Sequence, residues 1–178
     1  MVFSPFVYRK QDGSIVDVKV IAATKSDLLK TSQHPRWQTD WNSTYLSNPD
    51  YLKYALKTLD GELIALGAYL PIEAGAVYVY IIYLESAPDS NPTITAKSER
   101  KYVGIGEVML AFAIKLSIDY GGGGDVLLDA KTEELKEHYL HDIGAIPVGV
   151  SQSGAQRFLI CDNHAANLFT KYLREESE

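Results

Sequence analysis

The stretch KYVGIGEVMLAFAIKL, residues 101–116, places a pair of glycines at the point where a loop becomes a helix. Apolar side chains then recur at helical spacing, at Ile105, Val108, Met109, Phe112 and Leu116. Few strongly polar residues interrupt the segment from Gly104 to Tyr120. The pattern therefore predicts a helix over that range, with most of its circumference buried.

The glycine pair, Gly104 and Gly106, would leave backbone N–H groups uncovered at the positive end of this helix. Such a turn suits a phosphate or a pyrophosphate. Three cations precede the helix in the sequence, and they are Lys97, Arg100 and Lys101. Arginine binds an anion through paired hydrogen bonds and lysine as a point charge. A second interpretation stays open, in which the glycines only let the helix pack closely on a strand, because an isolated glycine pair is a weak motif.

The chain upstream of the glycine pair is predicted to be mainly β. Runs rich in apolar and β-branched residues predict strands over Ser14 to Ala23, Tyr51 to Leu59, Glu62 to Leu70 and Ala76 to Glu85. The last run is apolar on both faces, which is typical of a central strand covered by helices. Asp60-Gly61 predicts a type I′ hairpin, because both central positions of that turn need positive φ.

The remaining upstream segments are less regular. Thr24 to Gln33 predicts a short helix that Thr24 or Ser26 caps, and Met1 to Lys10 predicts a short arm leading into the first strand. Ser86 to Arg100 contains two prolines and no apolar period, so it predicts a loop. The segment from His34 to Asp50 carries aromatic residues without clean periodicity and predicts a helix and loop over a pocket.

Downstream, four glycines end the long helix at Gly121 to Gly124, where they predict a helix stop. The elements expected after them are a strand over Asp125 to Ala130, a helix over Thr132 to Ile143 capped by Thr132 and stopped by Gly144, short strands over Ala145 to Val150 and Gln156 to Cys161, and a closing helix over Asn163 to Glu176 capped by Asn163.

Composition narrows the class of protein. The chain has 178 residues, 46% of them hydrophobic, which predicts one globular domain. Its formal charge is −6, from 17 Lys and Arg against 23 Asp and Glu, so nucleic-acid binding is not expected. Cys161 is the only cysteine, which excludes an intramolecular disulfide and fits a reducing, cytoplasmic setting. The longest apolar run, Ala76 to Leu84, is far shorter than the roughly 20 residues of a membrane span.

Lys101, Gly104 and Gly106 occupy the positions of a known signature, which is Arg or Gln, two residues, Gly, one residue, then Gly or Ala. On this motif and on the order of elements from Ser14 to Cys161, the chain resembles the GNAT N-acetyltransferase superfamily. The resemblance implies a single α/β domain over residues 1–178, with a mixed, mostly antiparallel sheet of six or seven strands and helices on both faces. The chain departs from the family pattern in the long connection from Glu85 to Lys101 and in having lysine at the first signature position.

The resemblance also implies a co-substrate, acetyl-CoA, and an amine acceptor on a small molecule or a peptide. It implies that a pyrophosphate lies on the glycine turn, formed by Arg100, Lys101, Tyr102, Val103, Gly104, Ile105 and Gly106. It places the pantetheine arm along the end of the central strand, at Tyr83, Leu84 and Ser86. No metal is expected, and a homodimer is left open.

Acetyl transfer to an amine needs a base for the amine and a proton for the departing thiolate. Glu85 is the favoured base, because partial burial at a strand end would raise its carboxyl pKa toward neutrality; the alternative is an ordinary solvated glutamate. Tyr139 is the candidate proton donor, although a helix tyrosine can simply pack on a sheet. His138 and Asp142, one helical turn apart, form a weaker acid and base pair.

Two further expectations concern the acceptor and the class of function. Trp37, Trp41 and Tyr45 lie where the family builds its acceptor pocket, and they could equally belong to the core. Leu140 occupies the position where the family often has tyrosine. The second function to weigh is therefore a non-catalytic module that binds acyl-CoA or another protein on the same fold.

Overall fold

The computed structural model describes residues 1–176, which fall into two compact units. The first unit contains residues 1–68, 83–109 and 172–176. The second contains residues 69–82 and 110–171. That residues 1–178 form a single domain stays a prediction.

The order of the long strands and helices follows the prediction from the sequence. The strands are β1 (Val2–Phe3), β2 (Phe6–Arg9), β3 (Ile15–Ala22), β4 (Leu52–Thr58), β5 (Leu63–Glu73), β6 (Val77–Ser86), β7 (Tyr102–Val103), β8 (Val126–Ala130), β9 (Ile146–Val150), β10 (Gln156–Ile160) and β11 (Leu173–Arg174). The helices are α1 (Lys25–Lys30), α2 (Ile105–Asp119), α3 (Glu133–Glu137) and α4 (Asp162–Thr170), with a 3₁₀ turn at Thr44–Leu46 and a π-helical turn at His138–Ile143.

Strands β5 and β6 contribute residues to both units. The first unit has the strand order β7-β2-β3-β4-β5-β6, and the second has β5-β6-β8-β10-β9. Most neighbours are antiparallel, and β6 pairs with β8 in parallel through Val79–Val126 and Tyr80–Leu127. The mixed, mostly antiparallel sheet is confirmed, and within residues 1–176 it has nine strands where six or seven were expected.

The additional strands come from segments with weak local patterns. The segment from Met1 to Lys10 is not just an arm: β2 pairs with β3 on one side and with the two-residue β7 on the other. The pairing supplies partners for its backbone groups, which short, mixed side-chain patterns cannot reveal. The tail likewise forms β11, which pairs with β1 through Phe3–Leu173.

Several predicted boundaries need correction. The closing helix begins at Asp162 after the N-cap Cys161, so Asn163 is not the cap, and it ends at Thr170. The Asp60-Gly61 hairpin is not a type I′ turn, because Gly61 alone of the two has positive φ, at 96°. Thr58 N–H donates to the Glu62 carbonyl at 3.0 Å and the Thr58 hydroxyl donates to Asp60, which holds a wider loop.

Helix α2 is buried as its sequence predicts, with Val108, Ala111, Ala113 and Ile114 completely inaccessible. It ends in a Schellman arrangement, in which Gly121 N–H donates to the Ile118 carbonyl at 2.9 Å and Gly122 N–H to the Ser117 carbonyl at 2.8 Å. Gly121 has φ 89°, so the predicted glycine stop is confirmed. Among residues 1–176, no helix is long and apolar enough to cross a membrane.

Candidate functional site

The end of β6 carries a buried carboxylate in the first unit. Glu85 is 5% exposed. Both of its carboxylate oxygens accept hydrogen bonds from the aromatic segment, residues 34–50, which precedes β4. The Trp41 indole N–H donates to Oε2 at 2.8 Å, and the Thr39 backbone N–H donates to Oε1 at 3.1 Å. Trp41 is itself fixed, because its backbone N–H donates to the Thr31 hydroxyl at 3.1 Å. Glu85 is therefore held in one orientation and is not a solvated strand end.

Burial raises the pKa of Glu85 above its ordinary value, which is the direction expected from its position in the sequence. The hydrogen bonds from Trp41, Thr39 and Gln38 stabilise the charged form and act in the opposite direction, but burial is the larger effect. A carboxylate whose pKa is moved toward neutrality is better able to accept a proton and release it again during a reaction cycle.

The raised pKa of Glu85 predicts a pH-dependent stability. The folded state binds the Glu85 proton more tightly than the unfolded state does. The protonated carboxyl therefore stabilises the folded state fully below the unfolded pKa, near 4.5, and this stabilisation is lost as the pH rises through the folded pKa. We expect the free energy of unfolding of Glu85→Gln to increase relative to that of the wild type between about pH 4 and pH 8. Urea unfolding across this range measures it, and a constant difference would contradict the raised pKa. Glu134→Gln, at an exposed position, is the control.

Tyr83 lies two residues before Glu85 and contacts the same aromatic segment. Its hydroxyl is hydrogen-bonded to the Thr39 hydroxyl at 2.9 Å. Its ring centre lies 5.6 Å from that of Trp41 and 6.3 Å from that of Tyr45. Burial raises the pKa of Tyr83, the Thr39 hydrogen bond lowers it, and the charge of Glu85 raises it further. The phenol is therefore protonated at neutral pH.

The three aromatic residues predicted for an acceptor pocket fall into two groups. Trp37 and Trp41 are buried, at 9% and 0% exposure, whereas Tyr45 is 59% exposed. Trp41 thus belongs to the core and orients Glu85, a role that its sequence position does not reveal. Tyr45 is the member of the group that solvent reaches.

The segment before the glycine turn is fastened on two sides. Strand β7 pairs with β2, and the Lys10 N–H donates to the Lys101 carbonyl at 2.9 Å. On the loop side, the Lys101 N–H donates to the Asp89 carbonyl at 2.9 Å and the Tyr102 N–H to the Ser90 hydroxyl at 3.0 Å. The loop between β6 and β7 thus acts as a support for the turn, and nothing in its polar sequence signals these bonds.

The glycine pair does not serve close packing. Gly106 is exposed, and apart from its chain neighbours and the backbone of its own helix, a Cβ there would meet no atom of residues 1–176 within 4 Å. A Cβ on Gly104 would meet only Tyr8, at 3.8 Å, although the φ of 89° at Gly104 requires glycine for another reason. Gly104 also has no side chain to cap the first N–H groups of α2. The turn is open in the way that a phosphate cradle requires.

The cations near the turn differ in their availability. Lys101 forms an ion pair with Glu62, which also accepts a hydrogen bond from the Tyr102 hydroxyl at 2.8 Å. The Glu62 hydrogen bond raises the pKa of Lys101, so the ammonium stays charged, and the Glu62 carboxylate offsets that charge. Lys97 is exposed. The Nε atom of Arg100 is buried and has no hydrogen-bond partner in the described chain.

The remaining residues predicted to contact the co-substrate lie in the same unit. Leu84, Ser86 and Val103 are partly buried, and Ile105 is 5% exposed. Their roles in binding stay predictions.

The second unit contains the other predicted catalytic groups. Tyr139 is 9% exposed, and its ring packs edge-on against Phe158 at 5.9 Å. Burial raises the pKa of Tyr139 to about 12. The His138 Nδ1 and Asp142 Oδ2 atoms lie 2.7 Å apart at the surface. Tyr139 has the surroundings of a packing residue, and its role as a proton donor stays a prediction.

Metal ligands and the single thiol were also considered in the sequence. Residues 1–176 contain no group of three or more His, Cys, Asp or Glu side chains that could hold a metal ion. Burial raises the pKa of the Cys161 thiol, and its hydrogen bond to Asp162 adds to this, so the thiol is protonated and unreactive at neutral pH.

No protein-family model matches the chain, and no curated protein is similar to it in sequence. Solved structures are similar in fold. A spermidine N-acetyltransferase SpeG chimera from Vibrio cholerae and hSSAT is 15% identical, with a TM-score of 0.54 over 88% of this chain and 99% of the other. A dodecameric spermidine N-acetyltransferase from Vibrio cholerae is 14% identical, with a TM-score of 0.55 over 90% and 98%.

A third similar structure is described as a histone acetyltransferase and related acetyltransferase from Corynebacterium glutamicum. It is 14% identical, with a TM-score of 0.50 over 81% of this chain and 96% of the other. The chain therefore has the fold of the GNAT acetyltransferases, as the sequence resemblance predicts. At this level of identity the comparison concerns the fold, and the chemistry has to be argued from the side chains.

Proposed function

We propose that this protein is an N-acetyltransferase that moves the acetyl group of acetyl-CoA to a primary amine of a small molecule or a peptide. The observation that carries the proposal is the buried Glu85 carboxylate, which is held by Trp41 and Thr39 and has a raised pKa. The open glycine turn in the same unit supports it, as does a fold whose similar structures are acetyltransferases.

In this proposal, acetyl-CoA supplies the thioester. The uncovered N–H groups around Gly104 and Gly106 bind its pyrophosphate at the N-terminus of α2, and Arg100 adds charge. Tyr83, Leu84 and Ser86 line the path of the pantetheine arm. The amine attacks the acetyl carbon directly in a ternary complex, and Glu85 accepts the proton that the amine loses.

The acceptor in this proposal carries positive charge. A net charge of −6 favours encounter with cationic amines, and an exposed aromatic ring at Tyr45 offers a face to an alkylammonium group. Polyamines, aminoglycosides and peptide N-termini share this chemistry. Two of the similar structures are described as spermidine N-acetyltransferases, which makes a polyamine the first acceptor to try.

Two measurements test the proposal in sequence. Calorimetry with acetyl-CoA should show binding, and no measurable heat at millimolar ligand would contradict the proposed function. Release of free thiol is then followed with spermidine, an aminoglycoside, a peptide with a free N-terminus and an N-acetylated peptide as the control. Binding without thiol release from any amine would leave the non-catalytic acyl-CoA-binding module.

A further inference from the structure

One residue connects Glu85 with a second ionisable group. The Thr39 backbone N–H donates to Glu85 Oε1 at 3.1 Å, and the Thr39 hydroxyl is hydrogen-bonded to the Tyr83 hydroxyl at 2.9 Å. Side chains two residues apart on a strand point to the same face, so Tyr83 and Glu85 both project toward Thr39 from β6. A carboxylate and a phenol are thus held beside each other, each in a defined orientation.

We propose that Tyr83 is the proton donor to the departing thiolate, acting together with Glu85 as the base. This role rests on the proposed function, and it assigns to Tyr83 a step for which the sequence suggested Tyr139.

The hydrogen bonds of Thr39 set an upper limit on the separation of the two groups. From Glu85 Oε1 to the Tyr83 oxygen, the path consists of the two hydrogen bonds and the stretch from N to Oγ1 within Thr39, so the direct distance is at most about 9 Å. A base oxygen, an amine nitrogen and the attacked carbon span roughly 6 Å in a reactive arrangement, and the sulfur lies one bond further. The two groups are therefore close enough for both to reach one amine and one thioester, as the proposal requires.

Protonation of Glu85 during the reaction would lower the pKa of Tyr83. Burial raises the pKa of Tyr83, the Thr39 hydrogen bond lowers it, and the charges of Glu85 and Tyr45 raise it. When Glu85 accepts a proton, its negative charge disappears and this contribution to the pKa of Tyr83 is removed. Tyr83 thus becomes a stronger acid in the step in which the thiolate forms.

The atoms and charges balance. The acceptor nitrogen enters the step as the free amine, its ammonium proton having gone to solvent. It forms a bond to the acetyl carbon and loses a proton to Glu85, and the carbon–sulfur bond breaks with its electron pair on sulfur. The sulfur takes the phenolic proton of Tyr83. Water then carries the proton from Glu85 to the Tyr83 phenolate, which restores both residues and leaves an amide and a free thiol.

Three variants test the role of Tyr83. Tyr83→Phe removes the phenolic proton, whereas Thr39→Val removes the hydroxyl that Tyr83 contacts and keeps the backbone N–H that Glu85 accepts. We expect Tyr83→Phe to lower kcat by about 10²-fold, the size typical of a general acid, and Thr39→Val to lower it only a few-fold. The Kd for acetyl-CoA, measured by calorimetry, should stay within about threefold of wild type in both variants, which is less than 1 kcal/mol.

Equal losses of kcat in Tyr83→Phe and Thr39→Val would show that the phenol only anchors Thr39, and would overturn the proposal. A larger loss in Tyr139→Phe than in Tyr83→Phe would overturn it in favour of Tyr139. If the wild-type protein binds acetyl-CoA but acetylates no amine, the proposed function and the role of Tyr83 fail together. An active wild type with an equally active Tyr83→Phe variant removes the role of Tyr83 alone.

A readout without substrate tests the coupling between the two groups. Tyrosine labelled with ¹³C at Cζ reports phenol ionisation by NMR, and Tyr83→Phe identifies the signal. We expect the pKa of Tyr83 to be lower in Glu85→Gln than in the wild type, because the neutral amide removes the nearby negative charge. An unchanged pKa would contradict the coupling on which the proposal depends.

Discussion

Replacing Glu85 by glutamine is expected to lower kcat for acetyl transfer by about 10²–10⁴-fold, the range for loss of a positioned general base. Glutamine keeps the shape of the side chain and can still accept the indole hydrogen bond of Trp41, although its NH2 group then faces the Thr39 N–H and loses that bond. It cannot take a proton from the amine. The Kd for acetyl-CoA should change little, since Glu85 acts on the amine. Steady-state thiol release and calorimetry measure the two quantities on the same preparation.

The pH profile of kcat/KM gives an independent check on Glu85. Wild-type activity should fall on the acid side as the carboxylate becomes protonated, at a pH above the ordinary range for glutamate, because burial raises the pKa of Glu85. This acid limb should be lost in the residual activity of Glu85→Gln. Glu134→Gln, an exposed control, should behave like the wild type. Unchanged turnover in Glu85→Gln would remove Glu85 from the mechanism.

Replacing Gly106 by valine is expected to raise the Kd for acetyl-CoA by about tenfold or more, through the loss of at least one charge-assisted hydrogen bond. A Cβ at this position has open space around it, and a valine side chain there would occupy the space next to the first N–H groups of α2. Stability should stay within about 1 kcal/mol of wild type, because valine is no worse than glycine in a helix. Calorimetry and urea unfolding separate binding from stability.

The choice of glycine decides how this test can be interpreted. Gly104→Val would confuse binding with stability, since a φ of 89° strains any residue with a side chain. Gly123→Val is a suitable control for Gly106→Val. A Cβ at Gly123 also has open space around it, and the φ of Gly123 is not in the left-handed region. A Gly106→Val variant that binds acetyl-CoA as tightly as Gly123→Val would contradict the cradle.

The long elements could be predicted from the sequence because their signals are local. The apolar period of α2 and the glycine stop at Gly121 both survive in the structure with small shifts of boundary. Two of the wrong predictions are local details, the turn type at Asp60-Gly61 and the cap of α4. The strands that the sequence did not predict depend on distant partners, because β3 and β7 supply the hydrogen bonds of β2 and β1 pairs with β11.

The candidate site shows the same division. Glu85 and the glycine turn could be singled out from residue type and position, and Gly106 is as open as a phosphate turn requires. The partner of Lys101 could not be predicted, because Glu62 lies 39 residues away and nothing in either segment indicates a pair. The expectation that Lys97, Arg100 and Lys101 can add charge at the turn therefore did not include the ion pair between Lys101 and Glu62.

By itself, the sequence determined the periodicity of the central strand and the helix, the glycine turn between them and the absence of any cysteine pair. Only the tertiary structure decided what Glu85 is, by bringing Thr39 and Trp41 to it across 46 and 44 residues. Periodicity and turn chemistry act between neighbours in the chain, so they can be recognised from sequence alone. The desolvation and hydrogen bonds that set the pKa of a carboxyl come from groups that meet it only after folding.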